Sequence, residues 1–208
     1  GQIRAIKYAA DNGAVICQNS WGYTAGTISV TDWTRGSYSA LSRAMEYFNK
    51  YAGLDENGNQ TGPMAGGIVL FAAGNDASSE VCYPAADANA ISVGATAFTG
   101  APAYYTNYGP GCNIAAPGGD AYQSYLENIN TGASEVLSTV NGGKYGYMQG
   151  TSMACPHVSG VAALGLSYAA QLRRHFTADE FKALLYQTTT PIDSYMTCLL
   201  YTSDAADD

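Results

Sequence analysis

Charge is scarce in this chain. Asp, Glu, Lys and Arg together make up 12% of its 208 residues, about half the usual share, and no segment gathers basic residues. Nine Lys and Arg stand against seventeen Asp and Glu, a formal charge of −8. Neither a nucleic-acid-binding surface nor attraction to anionic lipid is expected. Long apolar runs are also missing. The strongest, Gly67 to Gly74, is strand-sized, so no membrane-spanning helix is expected. The opening Gly-Gln-Ile-Arg-Ala-Ile-Lys-Tyr does not read as a signal peptide. The five cysteines (17, 82, 112, 155 and 198) form no CxxC pair, and there are only two histidines. Cys155-x-His157 offers two ligands, too few for a zinc site. No metal and no cofactor are called for. Most of the thiols read as small buried apolar groups, and a Cys82–Cys112 disulfide stays open.

What is present is apolar residues at 47%, with 24 Gly and 17 Tyr, in a length suited to one domain. Ile3, Ile6, Ala9 and Ala10 recur at helical spacing and end at Asn12-Gly13. Val15 to Ser20 reads as a short buried strand. Tyr38, Leu41, Ala44, Met45 and Phe48 mark a second amphipathic helix stopping near Gly53, and 55–63 is turn chemistry. Gly67-Ile-Val-Leu-Phe-Ala-Ala-Gly74 is apolar on both faces, as a strand covered by helices on each side would be. Ala90–Thr96 and Cys112–Ala116 look like further strands, and Glu135–Val140 with Lys144–Met148 like a hairpin around Asn141-Gly142. Thr151 to Ala170 is apolar nearly all round and predicts a buried central helix. Thr177-Ala-Asp-Glu180 is a capping box opening a last helix to about Gln187. Strands alternating with helices predict an α/β fold around a mainly parallel sheet.

The sharpest segment is Gly150-Thr-Ser-Met-Ala-Cys-Pro-His-Val-Ser-Gly160. A serine in the first turn of a helix sits beside unpaired backbone N–H groups at the positive end of the helix dipole. Such a place stabilises an oxyanion, although a serine there is most often only a cap. The whole string resembles the nucleophile segment of the subtilisin-like serine proteases. It is not the Gly-x-Ser-x-Gly elbow of α/β-hydrolases, because Ala154 stands where the second Gly would be.

The resemblance extends to Phe71-Ala-Ala-Gly-Asn75, which is similar to that family's oxyanion loop. It implies Ser152 as nucleophile, with the Asn75 side-chain amide and the Ser152 N–H as the two oxyanion donors. It further implies that Asn19-Ser20-Trp21-Gly22 pairs with an extended polypeptide substrate and that Ser20, Trp21 and Gly22 form one wall of the main specificity pocket. Ala72, Ala73 and Gly74 form the other wall, with Asp76, Cys82 and Tyr83 near the base. Tyr83-Pro84 resembles a position where the peptide bond is cis. Asn107-Tyr-Gly-Pro110 and Ile114-Ala-Ala-Pro-Gly118 match structural landmarks. Asp76 would favour basic side chains and Trp21 aromatic or aliphatic ones, so cleavage preference stays open. His157 belongs to the motif but helical spacing turns it from Ser152. His175, beside Arg173 and Arg174, reads as a solvated or capping residue.

A triad also needs a His and an Asp, which in this family precede the serine. Their motifs, and the calcium loop often found in that half, are absent between Gly1 and Asp208. Residues 1–197 are thus expected to be a partial peptidase domain of three-layer, subtilisin-like α/β fold, truncated at both ends and inert alone. The run Cys198–Asp208 resembles a translated sequencing-library adaptor and is expected to be a non-native tail. The expected parent is a secreted endopeptidase, monomeric at full length and acting through an acyl-enzyme. The alternative is a non-catalytic peptide-binding relative.

Overall fold

The computed structural model describes residues 1–122 and 134–192; Cys198 and the expected tail lie outside them. Its centre is a four-stranded parallel sheet of β1 (Ile16–Asn19), β3 (Ile68–Ala72), β4 (Ala90–Thr96) and β5 (Ile114–Pro117), in the order β1-β3-β4-β5. Side chains alternate between the faces of a strand, and β3 uses this to feed two cores. Ile68, Leu70 and Ala72 join Ile91, Val93 and Ala95 of β4 on one face, while Val69 and Phe71 point to the other. All five β3 residues are buried, which explains a sequence apolar throughout rather than alternating.

On the second face lie α1 (Gln2–Asp11), the short α2 (Val30–Thr34) and α3 (Ser39–Tyr51). They bring Ile6, Ala10, Trp33, Leu41, Met45 and Phe48 onto Val69 and Phe71. Burying each large side chain of this kind stabilises the fold by about 1.5–3 kcal/mol. On the first face lie α4 (Thr151–Gln171) and α5 (Ala178–Gln187). Thr177 and Glu180 cap α5 reciprocally, as the capping box predicts. The described residues also form two small pairs: β2 (Met64–Ala65) with β8 (Phe176–Thr177), and the hairpin β6 (Val136–Val140) with β7 (Lys144–Met148). The fold is the expected α/β arrangement, a mainly parallel sheet flanked by helices.

One open question closes and two expectations need correction. Cys82 and Cys112 are both free, one donating to the Tyr23 carbonyl and the other turned toward that of Ile114. Burial pushes both thiols up, Cys112 to about 11. The strand expected from Cys112 starts two residues later, because the Cys112 N–H closes a turn onto the Gly109 carbonyl.

Helix α4 is not buried all round, either. Thr151, Ala154, Cys155, Val158, Ala162, Leu166 and Ala169 form one buried stripe, while Leu164 is 72% exposed and Val161 and Tyr168 stand out beside it. An apolar face of this kind favours association. The 208-residue chain is expected to self-associate in sedimentation experiments, and Leu164→Glu to shift it toward monomer. Unchanged association in L164E would place the contact elsewhere.

Candidate functional site

The carboxyl ends of parallel strands are where α/β proteins place their ligands, and the expected site residues collect there. Asn19 of β1 pairs with Phe71 of β3, so 20–22 and 72–74 leave the sheet side by side. Helix α4 begins beside them. Its cap, Gly150, has φ +146, a left-handed value that favours glycine, and its N–H donates to the Gly118 carbonyl at 2.9 Å. Ser152 follows as the second helical residue. Its Oγ donates to the Ser20 carbonyl at 3.3 Å, and the Ser20 hydroxyl returns a bond to the Ser152 carbonyl at 2.7 Å.

Asn75 is fixed by Thr151. The Thr151 N–H and hydroxyl each donate to Asn75 Oδ1 at 2.9 Å. A backbone N–H can only donate, so the oxygen of the amide must face Thr151 and the NH₂ group must face away. Among the described residues nothing accepts from that Nδ2. A methyl built on Gly150 would lie 3.6 Å from Asn75 Nδ2 and 3.7 Å from the Ser152 nitrogen. Both donors therefore border the same small space, which glycine leaves open.

The loop carrying Asn75 is held from behind by Asn107. This residue is 4% exposed. Its Nδ2 donates to the Ala73 carbonyl at 2.9 Å, its Oδ1 accepts from the Asp76 N–H at 2.9 Å, and its own N–H donates to the Gly74 carbonyl. Gly74, at φ +106, would drive a Cβ into the Asn107 amide. From sequence alone Asn107 is only a structural landmark and Thr151 has no role of its own. An asparagine before Tyr-Gly-Pro, and a hydroxyl at the start of an apolar helix, were the available signals.

The two expected walls meet at Cys82. Its Sγ lies 3.9 Å from the place a Cβ would take on Gly22 and 3.0 Å from that on Gly74. Tyr83 abuts it, with the Tyr83-Pro84 bond cis. Ala72 and Ala73 are buried at the end of β3. Trp21 is half-buried, edge-on to Phe71 at 5.1 Å, so much of its ring is spent on packing. Asp76 is exposed, but its Oδ2 already accepts from the Ala25 N–H and from Asn107. Neither histidine serves Ser152. His157 Nδ1 lies 2.8 Å from the Met153 carbonyl on the outside of α4, and His175 contacts Gln60.

The sequence profile of the subtilase family matches residues 2–204. The chain belongs to the subtilase family. This subtilase is 33% identical over 198 residues to a thermophilic serine proteinase of Bacillus sp. strain AK1, covering 95% of this chain and 38% of that protein. It is 45% identical over 105 residues to an extracellular protease of Xanthomonas campestris, covering 50% of this chain and 17% of that one. Among solved structures, the epidermin leader peptide processing serine protease of Staphylococcus aureus superposes with a TM-score of 0.69 at 26% identity. That match covers 91% of this subtilase and 49% of the S. aureus chain. The chain thus spans less than two fifths of the length of either curated relative.

Proposed function

We propose that this chain is part of a secreted serine endopeptidase that cleaves polypeptides through an acyl-enzyme on Ser152. The observation that carries the reading is the pair of donors without an acceptor among the described residues, Asn75 Nδ2 and the Ser152 N–H, beside one glycine next to the Ser152 hydroxyl. Attack of Oγ on a peptide carbonyl places negative charge on the carbonyl oxygen, and donors fixed beforehand stabilise it without reorganising. Ser20, Trp21 and Gly22 on one side and Ala72, Ala73 and Gly74 on the other hold the substrate. Its backbone lies along the loop edges as an added strand.

The Ser152 hydroxyl donates to a carbonyl rather than to an imidazole, and a serine without a general base is a weak nucleophile. In this reading the histidine and its orienting aspartate belong to residues outside these 208, and the 208-residue polypeptide alone does not hydrolyse peptides. Two relatives, from Dichelobacter nodosus and X. campestris, are named as extracellular proteases, which supports secretion. The full-length protein is taken to act as a monomer on polypeptides, without nucleic acid.

The test is a fluorophosphonate probe applied to the product of the complete gene and to the 208-residue chain. Labelling is expected in the complete protein, mapping to Ser152 by peptide mass, and none in the shorter chain. A complete protein that binds peptides, takes no label and hydrolyses nothing would be a non-catalytic binder instead.

A further inference from the structure

We propose that Trp33 is a positioning residue for the substrate cleft, holding the base of the specificity pocket through Tyr83 and Asp87. The inference rests on the cleft assignment above. Trp33 sits in α2, a five-residue helix whose start is tied by Ser29: its Oγ accepts from the Asp32 N–H at 3.0 Å. The Trp33 side chain is 1% exposed and does two things at once. Its ring stacks on Tyr83, with centroids 4.5 Å apart and planes 10° from parallel. Its indole N–H donates to the buried carboxylate of Asp87.

The stacking contact leads to the cleft, and the indole bond leads to its anchor on α3. Tyr83 follows Cys82, the residue lying between Gly22 and Gly74. The Tyr83 carbonyl accepts from the Tyr23 N–H at 2.9 Å, the Cys82 thiol donates back to the Tyr23 carbonyl at 3.1 Å, and Gly26 N–H bonds to the Val81 carbonyl. Segments 20–26 and 81–83 are therefore laced together without belonging to any sheet. Tyr38 closes the group, edge-on to Tyr23 at 5.2 Å and stacked on Trp33 at 6.2 Å. Asp87 anchors the other side. Its Oδ1 accepts from both nitrogens of Asn89, whose carbonyl accepts from Asn49 of α3. Trp33 thus touches both the Tyr83 ring and the α3-anchored Asp87. A planar stack with a directed N–H fixes the Tyr83 ring in rotation and depth, and with it the floor beneath any side chain entering between the walls.

The experiment uses the complete protein carrying Ser152→Ala, so that peptides bind without being cut, and measures affinity for two peptide series. One presents a large side chain to the pocket and the other presents glycine. Trp33→Phe keeps a ring for stacking and loses the indole N–H. It is expected to weaken binding of the large-side-chain peptides about five- to tenfold, as the loss of one buried hydrogen bond implies, while leaving the glycine peptides unchanged. Ser29→Ala loosens α2 from outside the core and is expected to act in the same direction with a smaller effect. It decides the matter if W33F does not fold. Equal weakening of both series, or no change in either variant, would overturn the proposal. Fluorophosphonate labelling of the protein with Ser152 intact tests the nucleophile separately, so a cleft that binds peptides but never cuts them leaves the Trp33 result readable.

Discussion

Ser152→Ala in the complete protein is expected, on the proposed function, to remove peptide hydrolysis almost entirely, with kcat down by about 10⁶-fold, the size known for the nucleophile of subtilisin itself rather than a value deduced from the present geometry. The expectation rests on where the hydroxyl stands. Alanine keeps the helix, because residue 152 is not the cap and, among the described residues, its Oγ makes only the 3.3 Å bond to the Ser20 carbonyl. The proposed wall residues and both proposed oxyanion donors remain, so KM is expected to stay within a few-fold and a residual rate above that of water to persist. Steady-state kinetics on a chromogenic peptide gives both parameters. A variant retaining a tenth of the activity would mean that another group attacks the substrate.

Asn75→Asp is expected to lower kcat by about 10²–10³-fold, again the magnitude measured for the equivalent donor in subtilisin, while KM changes little. Aspartate separates the two duties of this side chain. Its Oδ1 still accepts from the Thr151 N–H and hydroxyl, so the loop keeps its tie to α4. Only the outward NH₂ is lost, replaced by an oxygen that repels the developing charge. Asn75→Leu removes both duties and is expected to lower the melting temperature as well as kcat. If N75D matched the parent enzyme in kcat, the side chain would be a strut between loop and helix and nothing more.

Much of this architecture could be read from the letters, for reasons that differ by element. Strand β3 announced itself because burial on two faces demands an unbroken apolar run. Helix α5 did so because Thr177 and Glu180 are the chemistry of a helix start. Helix α2 passed unread: five residues are too few for a period, although Ser29-x-x-Asp32 is a capping signature. The two-residue pair β2–β8 has no local signal at all, since its partners lie far apart in sequence. For α4 the apolar content was plain, but an apolar helix without periodicity says nothing about which side is covered. The site divides in the same way. Ser152 and Asn75 stood out through resemblance. Thr151, Asn107 and Trp33 did not, because their roles lie in bonds to residues that only the fold brings near.

The uncovered flank of α4 carries a thermodynamic consequence. The helix is about 31 Å long by its rise per residue, with Ser152 at one end and Tyr168 toward the other. Any surface that seats on Val161, Leu164 and Tyr168 binds the folded helix and not the unfolded chain, so its binding energy is added to the stability of the serine's own scaffold. Heat resistance of this polypeptide should therefore climb with its concentration, and assembly and the shape of the nucleophile's surroundings become one linked equilibrium.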